Sequence, residues 1–288
     1  MRPRLSGFLE LTKPRILILV LITTALGYFL GLGRFAGLTR CFILLAGVAL
    51  VCGGSAVLNH YLERDADAKM ERTKNRPLPS GLITPQEALS FGIILSLSGV
   101  FLLWWKINLL TAFLGLLTAF LYVLVYTPMK KLSWLNTTIG SIPGALPPVG
   151  GWAAATGELS LGAGVLFLIL FAWQHPHFYS IAWMCREDYA KAGFKMLPNI
   201  PNGQKRTIRQ IIGYTVLLLA LSILPTVIGL SGYTYALGAF ILGIYLLQRG
   251  FVFARNRSTL EAKNLLRASV VYLPALFLLI LIDFSFLK

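Results

Sequence analysis

The stretch that decides the fold is residues 41–67, which read CFILLAGVALVCGGSAVLNHYLERDAD. Residues 41–60 are mostly apolar, and a helix of about 20 apolar residues is long enough to cross the hydrocarbon core of a membrane. Charged side chains follow directly, with an acid or a base at four of the next seven positions. The stretch therefore predicts a transmembrane helix that carries polar groups at its end.

The rest of the chain repeats this apolar character. The protein has 288 residues, is 56% hydrophobic and only 13% charged, and has a mean hydropathy of +0.72. Soluble domains carry about 25% charged residues, so the composition excludes a water-soluble globular domain. We predict nine transmembrane helices, at 15–33, 41–60, 88–107, 108–126, 137–156, 161–184, 209–230, 232–248 and 267–286. The first run has no small-residue cleavage site after it, so we expect it to be retained as a span.

The predicted fold is all-α, a polytopic membrane protein that forms a single domain over residues 1–288. Nine helices are expected to enclose a lipid-accessible cavity, capped on the cytoplasmic side by the polar loops at 61–87 and 185–208. The predicted helix at 137–156 is rich in Gly and Pro, which are poor helix formers. Two interpretations of this segment remain open. In one, its backbone is irregular and borders the cavity. In the other, its small residues allow neighbouring helices to pack closely.

The charge distribution predicts the orientation. A net charge of +15, from 26 Lys and Arg against 11 Asp and Glu, would suggest a nucleic-acid partner in a soluble protein. In so apolar a chain, it indicates instead that basic residues gather on the cytoplasmic side of a bilayer. Sorting by predicted span leaves only four of the 26 on the other side, namely Arg34, Arg40, Lys106 and Lys288. We therefore predict a cytoplasmic N-terminus, an external C-terminus and no nucleic-acid partner.

Asn59, Glu63 and Asp67 form the first candidate site. They are four residues apart, so on a helix they lie along one face. Oxygen ligands in such an arrangement suit Mg²⁺, which is commonly shared between protein carboxylates and substrate phosphates. Asp65 points to the opposite face of this helix. We expect it to contact a metal ligand without binding the metal itself, or to form a salt bridge. The spacing therefore predicts a metal site in which Asn59, Glu63 and Asp67 are catalytic.

Basic residues accompany these acids. Arg is suited to bidentate phosphate contacts and Lys to point-charge contacts. One interpretation is that these basic residues only reflect the general excess of Lys and Arg on the cytoplasmic side of membrane proteins. The interleaving of acids and bases favours a metal–diphosphate site. The predicted diphosphate-binding residues are Arg72, Lys74, Arg76, Lys130 and Lys131.

The second candidate cluster reads Trp173-Gln174-His175-Pro176-His177 and is followed by Asp188. On a regular helix, His177 and Asp188 would share a face but lie about 16 Å apart along the axis. Either the chain bends at Pro176 and the following loop, or the two residues serve different parts of one elongated site. Because both clusters fall at cytoplasmic ends of spans, we expect a single site.

These motifs resemble the UbiA superfamily of intramembrane prenyltransferases, and within it the haem-modifying branch. The resemblance covers about residues 10 to 200. Two departures stand out. Glu63 occupies a position that is usually Asp in the superfamily, and His177 replaces an Asp of other members, as in the haem-modifying branch. The motifs that carry it are Thr12-Lys13-Pro14-Arg15-Ile16, Asp67 to Arg72-Thr73 with Arg76-Pro77-Leu78, Tyr126-Thr127, Gly140 to Gly144-Ala145 with Pro147-Pro148, Gly151-Trp152, Trp173-Gln174 with Pro176-His177-Phe178, Asp188-Tyr189, Ala192-Gly193-Phe194 and Met196-Leu197-Pro198.

The resemblance implies that a farnesyl group passes from farnesyl diphosphate to the 2-vinyl group of haem b. Water is added, and haem O and diphosphate are the products. It implies Mg²⁺ as the cofactor, with Asp188 from the second acidic motif as a further metal ligand. Trp173, Gln174 and His177 would contact haem, His177 through the iron or a propionate. It also implies the inner membrane of a bacterium, and a haem A synthase or oxidase-assembly protein as a partner.

Two other functions remain open. The acceptor could be an aromatic acid or a quinone precursor, although the segment 173–178 argues against it. A chain with broken helices and polar groups within its spans could also be a transporter. In this chain, however, the acids cluster at the helix ends and the halves show no internal repeat. Trp173 also has an ordinary structural interpretation, as a packing or interface residue.

Overall fold

The structure, a computed structural model, describes residues 3–286 and the side chains through Asp283. Arg2 and Lys288, which entered the charge asymmetry, lie outside the described residues. The described part contains helices and no strand, which confirms the predicted all-α fold. The helices are α1 (Arg4–Leu11), α2 (Pro14–Leu32), α3 (Leu38–Asp67), α4 (Pro85–Lys106), α5 (Leu109–Phe120), α6 (Thr127–Leu132), α7 (Asn136–Thr156), α8 (Leu161–Met184), α9 (Arg186–Lys191), α10 (Gly203–Leu221), α11 (Leu224–Val227), α12 (Tyr233–Asn256) and α13 (Thr259–Phe286).

Eight helical segments are long and apolar enough to cross a membrane, so the chain is an integral membrane protein. The fifth predicted span, 137–156, forms α7, but its Gly and Pro content keeps it outside that set. The number nine, the lipid-accessible cavity and the cytoplasmic cap therefore stay predictions. The eight segments are Pro14–Leu32, Leu38–Asp67, Pro85–Lys106, Leu109–Leu132, Leu161–Met184, Gly203–Val227, Tyr233–Asn256 and Thr259–Asp283.

The helices group into two compact units. Within the described residues, unit 1 contains the chain up to Leu159 together with Glu187–Phe194. Unit 2 contains Ser160–Arg186 and the chain from Lys195 onward. The prediction of a single domain over residues 1–288 stays a prediction.

In unit 1, α7 differs from the expected irregular backbone, because it is one continuous helix despite Pro143, Pro147 and Pro148. Its small residues allow the backbones of α2 and α7 to touch. A Cβ atom added to Gly27 would overlap the carbonyl of Pro148. One added to Gly151 would overlap the carbonyl of Thr24. Of the two interpretations of this segment, the structure therefore supports close packing through small residues.

The predicted loop at 61–87 is shorter than expected, because α3 continues to Asp67 and α4 begins at Pro85. Thr84 starts α4 with a capping box, in which it and Glu87 satisfy each other's backbone amides. A small apolar cluster fixes the connection between the two helices against α1 and consists of Leu11, Val57, Leu78, Ile83 and Ala88. The loop is therefore packed onto the end of unit 1, beside the predicted site.

The second predicted loop, 185–208, is also partly helical. It contains the short helix α9 and a 3₁₀ turn at Leu197–Asn199, and α10 begins at Gly203.

A six-residue π-helical segment, Leu121–Tyr126, connects α5 to α6. π-Helical turns are rare and often occur at functional sites.

Candidate active site

The end of α3 carries the three residues of the first predicted site. Asn59, Glu63 and Asp67 all belong to this one helix, and all three side chains are buried, with exposed fractions of 1%, 6% and 1%. We call these three residues the oxygen stripe. Asp65 points away as predicted, is exposed, and lies 3.8 Å from Arg64. The structure therefore brings the predicted oxygen ligands to one buried face and excludes Asp65 from it.

A different cation contacts each residue of the oxygen stripe, and we call these three cations the cation triad. The Lys13 Nζ donates to the Asn59 Oδ1 at 2.6 Å. The Lys130 Nζ lies 2.6 Å from the Glu63 Oε1. The Arg76 Nη1 donates to both carboxylate oxygens of Asp67, at 2.9 and 2.8 Å. Three positive charges face two carboxylates, so the cluster has an excess of positive charge that suits an anion.

The loop after α3 places Arg76. The Thr73 hydroxyl donates to the Asp67 carbonyl at 2.8 Å, and the backbone amide of Arg76 donates to the Thr73 carbonyl at 3.0 Å. Met70, 2% exposed, packs underneath. The loop therefore turns back on the end of α3, so that Arg76 reaches a carboxylate only nine residues earlier.

The π-helical segment supports the other two pairs. The Asn59 Nδ2 donates to the Thr127 Oγ1 at 2.9 Å, and that hydroxyl donates to the Tyr122 carbonyl at 2.8 Å. The Tyr122 hydroxyl lies 3.2 Å from the Lys13 Nζ. The rings of Tyr122 and Tyr126 stack with centroids 5.5 Å apart, and the Lys130 Nζ lies 4.8 Å from the Tyr126 centroid. Two aromatic rings thus line the cluster beside its cations.

Lys13 contacts the oxygen stripe but is not among the site residues predicted from the sequence. It has left-handed backbone dihedrals, φ 53° and ψ 61°, immediately before Pro14 starts α2. Burial lowers the pKa of Lys13 to about 8, and the charges of Lys130 and Arg76 act in the same direction, whereas Glu63 opposes them. Most Lys13 amines still carry a proton at neutral pH. The available signal was a Lys-Pro pair at the start of a span, on the side predicted for the oxygen stripe.

Of the predicted diphosphate-binding residues, only Arg76 and Lys130 contact the oxygen stripe. Arg72 is exposed and lies 5.0 Å from the centroid of the Tyr189 ring. Lys74 is exposed and pairs with Glu71 at 2.6 Å. Lys131 is exposed at the end of α6. A role for these three residues in diphosphate binding stays a prediction.

The oxygen stripe has the donor chemistry for a divalent metal ion. Two carboxylates and an amide oxygen are hard ligands, and next to them both ring nitrogens of buried His60 lack a hydrogen-bond partner among the described residues. Within the described part of the chain, no three His, Cys, Asp or Glu side chains converge on one metal position. These residues therefore fit an ion that takes its remaining ligands from water or from a substrate.

The second predicted cluster is split between the two units. In unit 2, α8 is continuous through Pro176 and ends at Met184, so the helix is interrupted at Cys185 and not at the proline. Asp188 lies in α9, which is grouped with unit 1 from Glu187 onward. His177 and Asp188 therefore do not share a helix, and a metal role for Asp188 stays a prediction.

Within unit 2, α13 holds the predicted haem-contacting residues in place. The Trp173 Nε1 donates to the Ser269 carbonyl at 2.8 Å, and the rings of Trp173 and His177 stack at 4.8 Å. The His177 Nδ1 lies 2.9 Å from the Ser269 Oγ. Gln174 is buried, and its Nε2 donates to the Leu170 carbonyl at 3.1 Å. His175, by contrast, stacks on Tyr214 and is part of the packing.

Ser269 decides which nitrogen of His177 carries the proton. The Ser269 hydroxyl donates its own hydrogen to the Leu266 carbonyl at 2.7 Å. It must therefore accept the hydrogen bond from the His177 Nδ1–H. In a neutral imidazole this assignment leaves the Nε2 with a free lone pair. That lone pair can act as a base, a hydrogen-bond acceptor or a metal ligand.

Buried carboxylates at the end of a membrane-spanning helix, neutralised by cations from two other segments, define a class of membrane-embedded enzymes that act on anionic lipid-like substrates. Comparisons with known proteins name the family. The model of the UbiA prenyltransferase family matches residues 20–279. The chain belongs to the UbiA prenyltransferase family.

Relatives and solved structures agree with this membership. A protoheme IX farnesyltransferase of Solibacter usitatus is 46% identical over 97% of this chain and 99% of its own length. Another, of Koribacter versatilis, is 40% identical over 97% of this chain and 93% of its own. A structure of digeranylgeranylglyceryl phosphate synthase matches with a TM-score of 0.82 at 21% identity, over 98% of both chains. A UbiA homologue from Archaeoglobus fulgidus bound to GPP and Mg²⁺ matches with a TM-score of 0.63 at 19% identity, over 95% of this chain and 99% of that one.

The pairing of Glu63 with Lys130 yields a stability prediction. Lys130→Met leaves the Glu63 carboxylate buried without its cation, which should destabilise the protein by about 3 kcal/mol. Lys131→Met removes the same charge one residue later, from an exposed position, and should change stability by less than about 0.5 kcal/mol. Thermal unfolding of the purified protein in detergent measures both.

A second substitution distinguishes the loss of the Glu63–Lys130 ion pair from a general loss of packing. Glu63→Gln in the Lys130→Met background removes the unpaired charge and should restore most of the lost stability. Equal unfolding temperatures for the Lys130→Met and Lys131→Met proteins would contradict the pairing.

Proposed function

We propose that this protein transfers a farnesyl group from farnesyl diphosphate to the 2-vinyl group of haem b. Water is added, and haem O and diphosphate are released. The observation that carries the proposal is the oxygen stripe with its cation triad, because this arrangement can bind a diphosphate together with a metal ion. The two relatives named protoheme IX farnesyltransferase support the choice of donor and acceptor.

The oxygen stripe and the cation triad would act on the diphosphate in complementary ways. Asn59, Glu63 and Asp67 would hold Mg²⁺, which supplies positive charge close to the leaving diphosphate. The A. fulgidus homologue solved with GPP and Mg²⁺ supports this choice of ion. Lys13, Arg76 and Lys130 would transfer their hydrogen bonds from the stripe to phosphate oxygens. Fixed cations that meet charge as it develops lower the barrier to ionisation of the C1–O bond.

The aromatic pair Tyr122 and Tyr126 would face the developing carbocation. Their stacked rings lie beside Lys13 and Lys130, at the place where the diphosphate would bind. The electron-rich face of an aromatic ring stabilises a cation without reacting with it at once. We also propose that Arg72, Lys74 and Lys131 bind the diphosphate and that Asp188 is a further metal ligand.

His177 would contact the acceptor. Its neutral form, with the proton on Nδ1, presents the Nε2 lone pair to haem iron, or to a propionate through a bridging water. Trp173 stacks on the imidazole and fixes its orientation, and Gln174 belongs to the same predicted contact set. The alternative acceptor, an aromatic or quinone precursor, has no iron for this lone pair to bind.

We further propose that residues 1–288 act as one prenyltransferase domain in the inner membrane of a bacterium, with a cytoplasmic N-terminus and an external C-terminus. A haem A synthase or an oxidase-assembly protein would take up the product. Membership of a prenyltransferase family disfavours the transporter alternative. The mass of the product decides the acceptor, since haem b plus a hydroxyfarnesyl group differs from any prenylated aromatic.

The function predicts a sharp difference between two neighbouring acids. Asp67→Asn removes a metal ligand and the partner of Arg76, so haem O formation should fall by about 100-fold or more. Asp65→Asn makes the same chemical change on the exposed face of α3 and should leave the rate within about twofold. The assay supplies membranes with haem b, farnesyl diphosphate and Mg²⁺ and detects the product by mass.

Membrane insertion of both variants is checked by their recovery from the membrane fraction. Wild-type turnover by the Asp67→Asn protein would overturn the proposed role of the oxygen stripe.

The acceptor contact can be tested apart from turnover. Ser269→Ala removes the acceptor that holds the proton of His177 on Nδ1, so haem affinity should fall about two- to tenfold. The haem absorbance band should also shift, and farnesyl diphosphate binding should be kept. Ser180→Ala is the control, since Ser180 is buried on α8 and its hydroxyl donates to the Pro176 carbonyl of the same helix.

His177→Ala should abolish the specific haem band altogether. An unchanged band and affinity in both the Ser269→Ala and His177→Ala proteins would assign His177 a purely structural role.

A further inference from the structure

An open cavity lies in unit 1, far from the oxygen stripe. Its volume is about 460 Å³, and its lining includes Arg34, Gly37 and Arg40. Arg40 is in the first turn of α3 and Asp67 is its last residue, so about 40 Å of helix separates the cavity from the proposed active site. The cavity therefore cannot belong to the diphosphate site.

Two arginines give this cavity a positive charge without a neutralising acid. Among the described residues, no carboxylate lies within ion-pair distance of Arg34 or Arg40. The charge pattern predicts only four basic residues on the external side of the membrane, and Arg34 and Arg40 are two of them. Because the positive-inside tendency disfavours arginine on this side, two in one cavity indicate a specific use.

Arg34 and Arg40 are exposed, and hydrogen bonds hold the wall beside Arg40. Arg40 donates from its Nη2 to the Ile107 carbonyl at 3.1 Å, which leaves further guanidinium donors available. Tyr28 is buried, and its hydroxyl donates to the Gly37 carbonyl at 3.1 Å. Gly37 has φ 67°, and a Cβ there would lie 2.6 Å from that hydroxyl, which favours glycine at this position. The backbone beside Arg40 is therefore held in place by contacts within the protein.

Neighbouring residues place the cavity at the membrane surface. The α4 helix ends in Trp104, Trp105 and Lys106, which are all exposed, and the Lys106 Nζ lies 3.6 Å from the centroid of the Trp105 ring. Tryptophan at the end of a spanning helix is typical of the level of the lipid headgroups. The hydrogen bond from Arg40 to Ile107 puts the arginines next to this helix end.

We propose that this cavity binds the phosphate group of an anionic phospholipid. Arginine forks match phosphate oxygens in geometry and charge, and the volume falls within the range of small-molecule sites. The ligand would be a structural lipid held in the leaflet opposite the proposed active site. The proposal stands on unit 1 alone and does not depend on the reaction that the oxygen stripe catalyses.

The test measures retention of phosphatidylglycerol by the full-length purified protein in native mass spectrometry, against phosphatidylcholine with the same acyl chains. The wild-type protein should prefer phosphatidylglycerol. Arg34→Gln/Arg40→Gln should weaken phosphatidylglycerol binding about tenfold and leave phosphatidylcholine unchanged. Arg255→Gln/Lys263→Gln, which removes two exposed charges from α12 and α13, should bind both lipids as the wild type does.

Equal retention of phosphatidylglycerol by the wild-type and Arg34→Gln/Arg40→Gln proteins would overturn the proposal. A higher affinity for inorganic phosphate than for phosphatidylglycerol would show that the cavity takes a free anion, which also overturns the proposal. If the glutamine variant does not fold, Arg34→Lys/Arg40→Lys replaces it. That variant keeps both charges but loses the bidentate contacts, so its affinity for phosphatidylglycerol should still fall, and an unchanged affinity would contradict the proposed site.

Discussion

The structure of unit 1 depends on how it buries two carboxylates at the end of a membrane-spanning helix. An unpaired charge in that setting would be costly, so Glu63 and Asp67 need cations within direct contact. Lys130 and Arg76 provide them, and Lys13 contacts the neighbouring Asn59. The start of α2, the loop after α3 and the helix α6 must therefore converge on one point. The π-helical segment and the compact loop between α3 and α4 are the local structures that allow this convergence.

The same pairing explains why the cluster can take part in chemistry. Each cation is held by an oxygen that a metal ion could also bind, so an incoming metal–diphosphate would offer new partners to both sets of groups. The protein need not order flexible side chains when its substrate arrives, because the charges are already in place. An excess of positive charge over the two carboxylates draws an anion to the cluster. The same contacts thus stabilise the protein without substrate and place the cations where a diphosphate would bind.

How far the sequence predicts this depends on the range of each contact. The spacing of Asn59, Glu63 and Asp67 identified the oxygen stripe, because helical periodicity is local, and Arg76 lies only nine residues beyond it. Lys13 belongs to a motif that carries the family resemblance, but it was not predicted as a site residue, because its contact with Asn59 spans 46 residues and no periodicity encodes it. The Gly and Pro residues of α7 left two interpretations open, and only the structure shows that they allow close packing against α2 without interrupting the helix. His177 was identified by type, but Ser269, which sets its tautomer, lies 92 residues away.

The most direct test of the central claim is the affinity for farnesyl diphosphate, measured at saturating Mg²⁺ with the purified protein. If the cation triad binds the diphosphate, Lys13→Gln should weaken this affinity about tenfold and leave haem binding unchanged. Arg15→Gln removes the same charge from an exposed neighbour on α2 and should have little effect. An unchanged affinity in the Lys13→Gln protein, or an equal loss in the two variants, would contradict the account.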